Sequence, residues 1–283
     1  MKTVISKKQF DEERALYGLS NALVKQCRFE GPADGESALK ECEDISVDSC
    51  YFDLRYPLWH VKHAVIKNCE MTINCRAALW YDESVEITQS KMYGIKVFRE
   101  CCDIEVKDCD IISPEVFWKS HGIKVESSQL QSEYPFFECS DVAIDDLNMK
   151  GKYSFQYVEN MTIKNSNLDT KDAFWHSKNV TVVDSVVKGE YLGWYSENLK
   201  FIRCQIIGTQ PLCYCKGLVL EDCTMEETDL SFERSEVDAT IIGKIEGVKN
   251  PLCGRIVADE IGELLIEEQY VNAKDTVIDC GKR

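Results

Sequence analysis

The stretch Asn160-Met-Thr-Ile-Lys-Asn-Ser-Asn-Leu168 decides the fold, because the chain repeats it. Nineteen residues later comes Asn179-Val-Thr-Val-Val-Asp-Ser-Val-Val187, and 19 residues after that comes Asn198-Leu-Lys-Phe-Ile-Arg-Cys-Gln-Ile206. In each copy an apolar, a polar and a second apolar residue precede a polar corner. This alternation is typical of a strand with one buried face.

The same unit extends along most of the chain. The first apolar residue of each copy serves as an anchor, and the anchors follow at steps of 19 residues with a single step of 21. The anchors are Ile45, Ala64, Val85, Ile104, Ile123, Val142, Met161, Val180, Leu199, Leu218, Val237 and Ile256. Two positions after every anchor stands another apolar residue. With 44% hydrophobic residues, chance agreement at all these positions is on the order of 10⁻⁹. An irregular copy starts near Ala22.

Each repeat has room for three short strands and three corners. Nineteen residues are too few for a strand with a crossover helix, and a propeller blade needs about 40 residues. Parallel strands stacked coil upon coil pair their backbones and bury one face of each strand. The sequence therefore predicts an all-β fold, a parallel β-helix (solenoid) of about 12–13 coils with three short strands each. We expect right-handed coiling, because parallel crossovers are almost always right-handed.

No linker or change in composition marks a domain boundary, so the sequence predicts a single β-helix domain over residues 1–283. Within it, residues 22–261 form the coils. An open coil exposes a strand edge, which proteins normally cover. We therefore expect residues 1–21 and 262–283 to form an N-terminal and a C-terminal cap.

Charge and composition exclude several classes of function. The 283 residues carry a formal charge of −16, which disfavours nucleic acid and anionic membranes as partners. Residues 1–10 contain no apolar core of a signal peptide, and no apolar run is long enough to span a bilayer. We therefore expect a cytoplasmic protein with reduced cysteines.

The 15 cysteines follow the repeat rather than a ligand pattern. No two have the spacing of a zinc finger, and the segment from His60 to His63 would point its two rings in different directions. We expect no metal site and no cofactor. Six of the cysteines share one inward column as small apolar residues, and neighbours in that column stand close enough for a disulfide. These are Cys27, Cys50, Cys69, Cys109, Cys204 and Cys223.

The third strand of the repeat is rich in aromatic residues at both parities. One parity mixes aromatic and charged side chains, which favours exposure to solvent because charges are rarely buried unpaired. That parity would form an aromatic strip suited to a sugar or an extended peptide. In the alternative, Phe117, Phe136, Phe155 and Phe174 stack inside and only the flanking residues turn outward. The candidate binding residues are Tyr134, Tyr153, Tyr157, Phe174, His176, Tyr191, Tyr195 and Tyr214.

Two carboxylates near this strip could carry catalysis. Asp172 and Glu190 lie one coil apart, and sugar hydrolysis uses two carboxyl groups as acid and base or nucleophile. In an acidic chain such neighbours are also common as solvated corner residues. Arg99 occupies a column of uncharged side chains, and an ion pair with Glu100 or Glu115 would satisfy it.

Several segments resemble an uncharacterised bacterial family, domain of unknown function 3737. They are Gly35-Glu-Ser, Tyr56-Pro-Leu-Trp59, Arg76-Ala-Ala-Leu-Trp-Tyr81, Lys171-Asp-Ala-Phe-Trp175, Gly189-Glu-Tyr-Leu-Gly-Trp194 and Gln210-Pro-Leu-Cys-Tyr214. The resemblance covers roughly residues 10–265 and implies a right-handed single-stranded β-helix. It implies no activity, cofactor or catalytic residue.

The sequence leaves two classes of function open. The first is binding of a glycan or sugar conjugate along the third-strand face, with Asp172 and Glu190 as catalytic residues if the protein is an enzyme. The second is a non-catalytic scaffold or protein-interaction rod. A calcium-dependent lyase would need three outward carboxylates that converge across adjacent coils, and the sequence does not indicate them.

Overall fold

The computed structural model describes residues 2–281, and these form strands and turns without a helix. They divide into two compact units, within residues 1–143 and 144–283. Each unit consists of parallel strands that pair with the equivalent strands one coil away. The predicted all-β parallel β-helix is confirmed, and the single-domain interpretation stays a prediction.

The first unit contains three ladders of parallel strands. The first ladder consists of Thr3–Ser6, Ser20–Lys25, Glu43–Asp48, Lys62–Lys67, Glu83–Thr88, Cys102–Lys107 and the first half of His121–Ser132. The second ladder consists of Gln9–Phe10, Arg28–Phe29, Tyr51–Phe52, Glu70–Met71, Lys91–Met92, Asp110–Ile112 and the second half of His121–Ser132. The third ladder consists of Leu39–Lys40, Leu58–Trp59, Leu79–Trp80, Val97–Arg99, Glu115–Trp118 and Tyr134–Pro135.

The second unit repeats the first two ladders, and its third segment forms strands only in the last coils. A long strand, Ser140–Gly151, begins before residue 144 and continues into this unit. The first ladder then contains Glu159–Lys164, Lys178–Val183, Glu197–Ile202, Leu218–Glu226, Glu236–Ile241, Cys253–Ala258 and Thr276–Cys280. The second contains Asn167–Asp169, Val186–Lys188 and Gln205–Ile207, and Lys244–Lys249 pairs separately with Glu260–Leu265. Between residues 153 and 234 the third segment of each coil folds as turns, which corrects the prediction of three strands per coil for this part of the chain.

The strand registers reproduce the repeat. Met161 pairs with Val180, and Val180 pairs with Leu199, at the predicted step of 19 residues. The irregular copy at Ala22 pairs with Ile45. The last predicted anchor is misplaced, because Ile256 pairs with Ala239 instead of Val237. Two residues fewer in this coil shift the register by one full side-chain period, so the inward face is preserved.

The ends of the chain correct the predicted caps. Thr3–Ser6 pairs in parallel with Ser20–Lys25, so the described residues of the predicted N-terminal cap contribute a coil. Thr276–Cys280 likewise pairs with Cys253–Ala258, inside the predicted C-terminal cap. The described residues therefore make about 15 turns, more than predicted, because these end strands are too exposed to show the alternating pattern. Met1, Lys282 and Arg283 in the predicted caps lie outside the described residues.

Polar corners and small inward residues shape each coil. Asn165 and Asp184, at the predicted corner, have φ near 49°, a left-handed conformation that Asn and Asp tolerate better than most residues. At the next corner Gly208 is required, because a Cβ there would lie 2.2 Å from the carbonyl oxygen of Gly189. The six predicted cysteines are buried and, like all 15 cysteines, free. The buried thiol column is confirmed.

Candidate functional site

The third segment of each coil has an unusual backbone. In residues 153–157 of the second unit, Tyr153, Phe155 and Tyr157 have φ of 48°, 60° and 57°. Left-handed residues at every second position remove the simple inward–outward alternation of a strand. The second and third positions both point inward, the first and fourth are half-buried, and the fifth is exposed. This backbone recurs in both units, so it belongs to the fold and does not by itself mark a site.

The third position forms the aromatic core. Phe155 and Phe174 are fully buried, and their rings stack at 5.0 Å between centroids. In the first unit Phe98, Phe117 and Phe136 stack in the same way, at 4.5 and 4.7 Å. The prediction that Phe174 belongs to an exposed binding strip is therefore wrong. The alternative, in which the phenylalanines stack inside, is confirmed.

The fifth position forms an outward stack of four rings in the second unit, which we name the tyrosine–histidine ladder: Tyr157, His176, Tyr195 and Tyr214. Successive centroids lie 5.0, 5.1 and 4.9 Å apart, with ring planes within 12° of parallel. Tyr157 and Tyr195 are 48% and 45% exposed. Because neighbouring rings cover each other's faces, the ladder presents ring edges and polar tips to solvent.

Two tryptophans at the fourth position support the ladder. Trp175 and Trp194 stack at 5.5 Å, with planes 8° apart. The indole N–H of Trp175 donates to the Tyr191 carbonyl at 2.6 Å, and that of Trp194 donates to the Gln210 carbonyl at 2.9 Å. Trp194 also meets the Tyr214 ring edge-on at 5.6 Å. These bonds fix the indoles as a rigid layer beside the ladder.

Tyr214 keeps its proton at neutral pH. Burial raises the pKa of Tyr214, and the carboxylate of Glu233 raises it further. The Tyr214 hydroxyl is therefore a hydrogen-bond donor and acceptor at any physiological pH.

Asp172 and Glu190 lie on adjacent coils, as the repeat requires. The Asp172 backbone N–H donates to the Glu190 carbonyl at 3.0 Å. Their side chains differ: Asp172 is 7% exposed, whereas the Glu190 side chain is 50% exposed and pairs with Lys171 at 2.8 Å. Burial raises the pKa of Asp172, the Lys171 ammonium lowers it, and Glu190 raises it. A buried acid thus lies beside an exposed carboxylate held by a lysine.

The remaining predicted residues occupy different places. Tyr191 is half-buried, meets Trp194 edge-on at 5.5 Å and lies under the Lys171 ammonium, 5.6 Å from it. Tyr153 is half-buried in the first position of its segment. Tyr134 belongs to the first unit, where its carbonyl accepts the Trp118 indole N–H at 2.7 Å. The second unit therefore brings together Tyr157, His176, Tyr191, Tyr195 and Tyr214 with both carboxylates.

Sequence reasoning missed a row of charges beside the ladder, which we name the charge ladder: Glu159, Lys178, Glu197 and Lys216. Each stands two residues after a ladder ring, with one buried residue between. Lys178 pairs with Glu159 and Lys216 with Glu197, both at 3.9 Å. The signal was present in the sequence as a Glu–Lys–Glu–Lys alternation at the 19-residue step.

The first unit also contains a cluster of metal-ligand residue types that sequence reasoning missed. Ligand atoms of Glu43, Asp44 and His63 all lie within 4.8 Å of one another, and all three side chains are exposed. His60 pairs separately with Glu41 at 3.0 Å, in line with the predicted divergence of the two histidines. Exposed acidic groups of this kind are common without a metal.

Arg99 behaves as the sequence suggested. Its guanidinium lies 3.3 Å from Glu100 and 3.6 Å from Glu115. The structural ion pair is confirmed. Among residues 2–281 no helix is long and apolar enough to cross a membrane.

Comparison with known proteins decides the family. The profile of the family described as protein of unknown function (DUF3737) matches residues 3–279. The chain belongs to the DUF3737 family. No curated protein matches the chain in sequence.

Several solved structures are similar to this DUF3737 chain. The tailspike protein of E. coli bacteriophage HK620 has 9% identity and a TM-score of 0.46, over 92% of this chain and 62% of the tailspike. The A-module of Azotobacter vinelandii mannuronan C-5 epimerase AlgE6 has 8% identity and a TM-score of 0.35, over 100% and 91%. DFA-IIIase from Arthrobacter chlorophenolicus has 9% identity and a TM-score of 0.39, over 93% and 73%. The chain spans about three-fifths of the tailspike's length, and we base no function on these distant likenesses.

Proposed function

We propose that this DUF3737 protein binds a glycan along the tyrosine–histidine ladder of its second unit. One observation carries the proposal: four stacked rings expose their edges and polar tips in a row that repeats at about the coil spacing. A glycan is itself a row of rings that carry hydroxyl groups. Successive sugars can therefore meet successive coils, with a phenol or imidazole as hydrogen-bond partner for each.

The backbone of this face disfavours an extended peptide as the ligand. A peptide that adds to a sheet edge needs unpaired backbone groups. Here the N–H groups of Tyr157, His176 and Tyr195 donate to carbonyls on the next coil at 2.9, 3.0 and 3.2 Å. Recognition must therefore pass through side chains, which suits a ligand that is rich in hydroxyl groups.

A second candidate function, hydrolysis of the bound glycan, is favoured by the environment of Asp172. A glycosidase needs one carboxyl group that donates a proton to the glycosidic oxygen and another that activates water or attacks carbon. Burial raises the pKa of Asp172, which suits the acid. Glu190, held by Lys171 at 2.8 Å, suits the second role. An Asp172→Asn variant should then bind substrate and lose turnover.

The proposal is tested by thermal shift with a panel of oligosaccharides, followed by calorimetric titration of any hit. A ligand that binds only the native state raises the melting temperature. Tyr195→Ala should lower affinity about tenfold or more, because it removes a central ring of the ladder. Tyr81→Ala in the first unit is the matched control, since Tyr81 is 41% exposed, has φ of 57° and also stacks on a ring.

Equal loss of affinity in both variants would place binding away from the ladder. A panel without any hit, on folded protein, would favour the scaffold alternative and redirect the search to a protein partner.

A further inference from the structure

Most charges on the two flanks of the tyrosine–histidine ladder are already paired, and Arg234 beyond Tyr214 lies over the Tyr270 ring. On one flank the charge ladder alternates in sign, and strand register sets Lys178 beside both Glu159 and Glu197. Lys216 continues the row next to Glu197. Each lysine of this flank therefore has a carboxylate on a neighbouring coil, and the four charges cancel.

The opposite flank shows the same balance. Lys171 and Glu190 form an ion pair at 2.8 Å. Further along the chain, Lys249 pairs with Glu233 at 3.1 Å. The carboxylate of Asp229 accepts a hydrogen bond from the Thr209 hydroxyl and forms no ion pair among the described residues. This flank is therefore neutral to slightly negative.

We infer that the ladder selects neutral glycans and rejects polyuronates and other polyanionic sugars. This inference rests on the proposed function and names the class of ligand for the same site. A polyanion needs cations to offset the desolvation of its carboxylates. Along the ladder it would meet lysines that are already paired and would lie beside the carboxylates of Glu159 and Glu197. The overall charge of −16 adds a long-range repulsion.

A neutral sugar gains from the same groups. Its hydroxyl groups can donate to the carboxylates and accept from the ammonium groups without breaking a charge pair, and hydrogen bonds to charged partners are the stronger ones. The alternating row thus offers donors and acceptors in turn along the ligand.

The test compares matched tetrasaccharides by calorimetric titration. The neutral probes are β-1,4-linked glucose, mannose and xylose tetramers and α-1,4-linked glucose, and the acidic probes are the tetramers of galacturonate and mannuronate. We expect the best neutral probe to bind at least about tenfold more tightly than either uronate. A uronate that binds as tightly as the best neutral probe overturns the inference and leaves the proposed function standing. Absence of binding by every probe overturns both.

A charge variant tests whether the pairing of the lysines is the reason that acidic glycans bind weakly. Glu159→Gln together with Glu197→Gln frees Lys178 and Lys216, and should raise uronate affinity about fivefold or more at about 20 mM salt, with the gain lost at about 500 mM. The matched control is Glu126→Gln with Glu138→Gln in the first unit, which frees Lys107 and Lys119 and changes net charge equally. If the control raises uronate affinity as much, net charge alone excludes polyanions and the local inference fails. No gain in the ladder variant also overturns it.

Discussion

The third segments of the two units share a backbone and differ in what they expose. In the first unit, cations lie against the outer rings: the Lys40 ammonium is 4.0 Å from the Trp59 centroid, and the Arg99 guanidinium is 5.8 Å from that of Trp118. Charged residues also occupy its fifth position, where Lys119 pairs with Glu138. In the second unit, the fifth position from residue 157 to 214 carries only Tyr and His.

This comparison distinguishes the inward positions, which stabilise the coil, from the outward positions, which face solvent. The inward positions are alike, since Phe117 and Phe174 are both fully buried in stacks. The outward positions vary without altering the coil. At the fifth position the first unit mixes charged residues with His60 and Tyr81, whereas the second unit presents an unbroken row of polar ring edges to a ligand.

The largest change in the free energy of unfolding is expected when an inward phenylalanine ring is removed. Phe117→Ala and Phe174→Ala should each lower the free energy of unfolding by about 3–5 kcal/mol, because each opens a cavity in a packed stack. Urea titration followed by intrinsic fluorescence measures both.

Tyr195→Ala provides the contrast to these two variants. Its half-exposed ring leaves no buried cavity, so we expect a loss below about 1 kcal/mol. A loss as large as that of Phe174→Ala would make the tyrosine–histidine ladder a structural element and remove the distinction between the inward and outward layers.

The burial of the inward columns could be predicted because these columns repeat. The burial of the third segment could not be predicted, because its backbone departs from that of a strand. An apolar pattern reveals which residues recur but carries no sign of φ. Phe174, set between Asp172 and His176, therefore shared their parity in the sequence. With φ of 50°, 62° and 54° at these three residues, the segment turns at each of them, so that Asp172 and Phe174 are buried and His176 is exposed. The burial pattern of the site follows from that geometry.

The sequence predicted that Asp172 and Glu190 lie on adjacent coils, but it did not predict that the first is buried and the second exposed. Arithmetic on the repeat sets them on adjacent coils, and a backbone hydrogen bond between them agrees. Whether each carboxyl is buried depends on how its corner turns and on the position of Lys171, which spacing does not encode. The last register, where Ile256 meets Ala239, was missed for a similar reason: a coil shorter by two residues keeps the same alternation.

Replacement of a buried acid in the first unit should give the next largest change in the free energy of unfolding. Asp82 is 1% exposed; one carboxyl oxygen accepts the Val61 N–H at 2.8 Å, and the other has no partner among the described residues. In the second unit the same column holds serines, such as Ser235, which accepts from Cys215 N–H and donates to the Leu212 carbonyl. Ser120 of the first unit bonds in the same way, so a serine hydroxyl satisfies this column in both units.

Burial raises the pKa of Asp82 well above its usual range, which makes stability depend on pH. The folded protein holds this proton more tightly than the unfolded chain, whose Asp titrates near about 3.9. The stabilisation is therefore complete below that pH and is lost as pH rises through the folded value.

Asp82→Ser should remove this loss and raise the free energy of unfolding by about 1–3 kcal/mol at pH 7, the cost of one unsatisfied buried polar group. Urea midpoints of both proteins between pH 4 and pH 8 (about the stable range of most proteins) measure the difference. Parallel pH profiles would show that Asp82 titrates alike in the folded and unfolded chain and would contradict the expectation.

A smaller effect is expected at the asparagine corner of the second unit. The Asn179 amide donates to Asn160 at 3.1 Å and accepts from Asn198 at 3.0 Å, and its φ is 54°. Asn179→Ala should cost about 1–2 kcal/mol, from the lost hydrogen bonds and the left-handed backbone. Asn179→Gly keeps the backbone freedom and should cost less. Equal losses in urea titration would assign the whole effect to the hydrogen bonds.

The smallest change in the free energy of unfolding is expected from the exposed ion pairs beside the third segments of the two units. Lys119→Met removes a pair in which the Lys119 and Glu138 side chains are 51% and 45% exposed, and Lys178→Met does the same beside the tyrosine–histidine ladder. Each should change the free energy of unfolding by less than about 1 kcal/mol, because exposed ion pairs gain little and are screened by salt. A loss above about 2 kcal/mol for Lys178→Met would mean that the charge ladder is needed for the fold. A small loss leaves the alternating charges without a large structural role, and their arrangement is then free to serve the choice between neutral and acidic ligands.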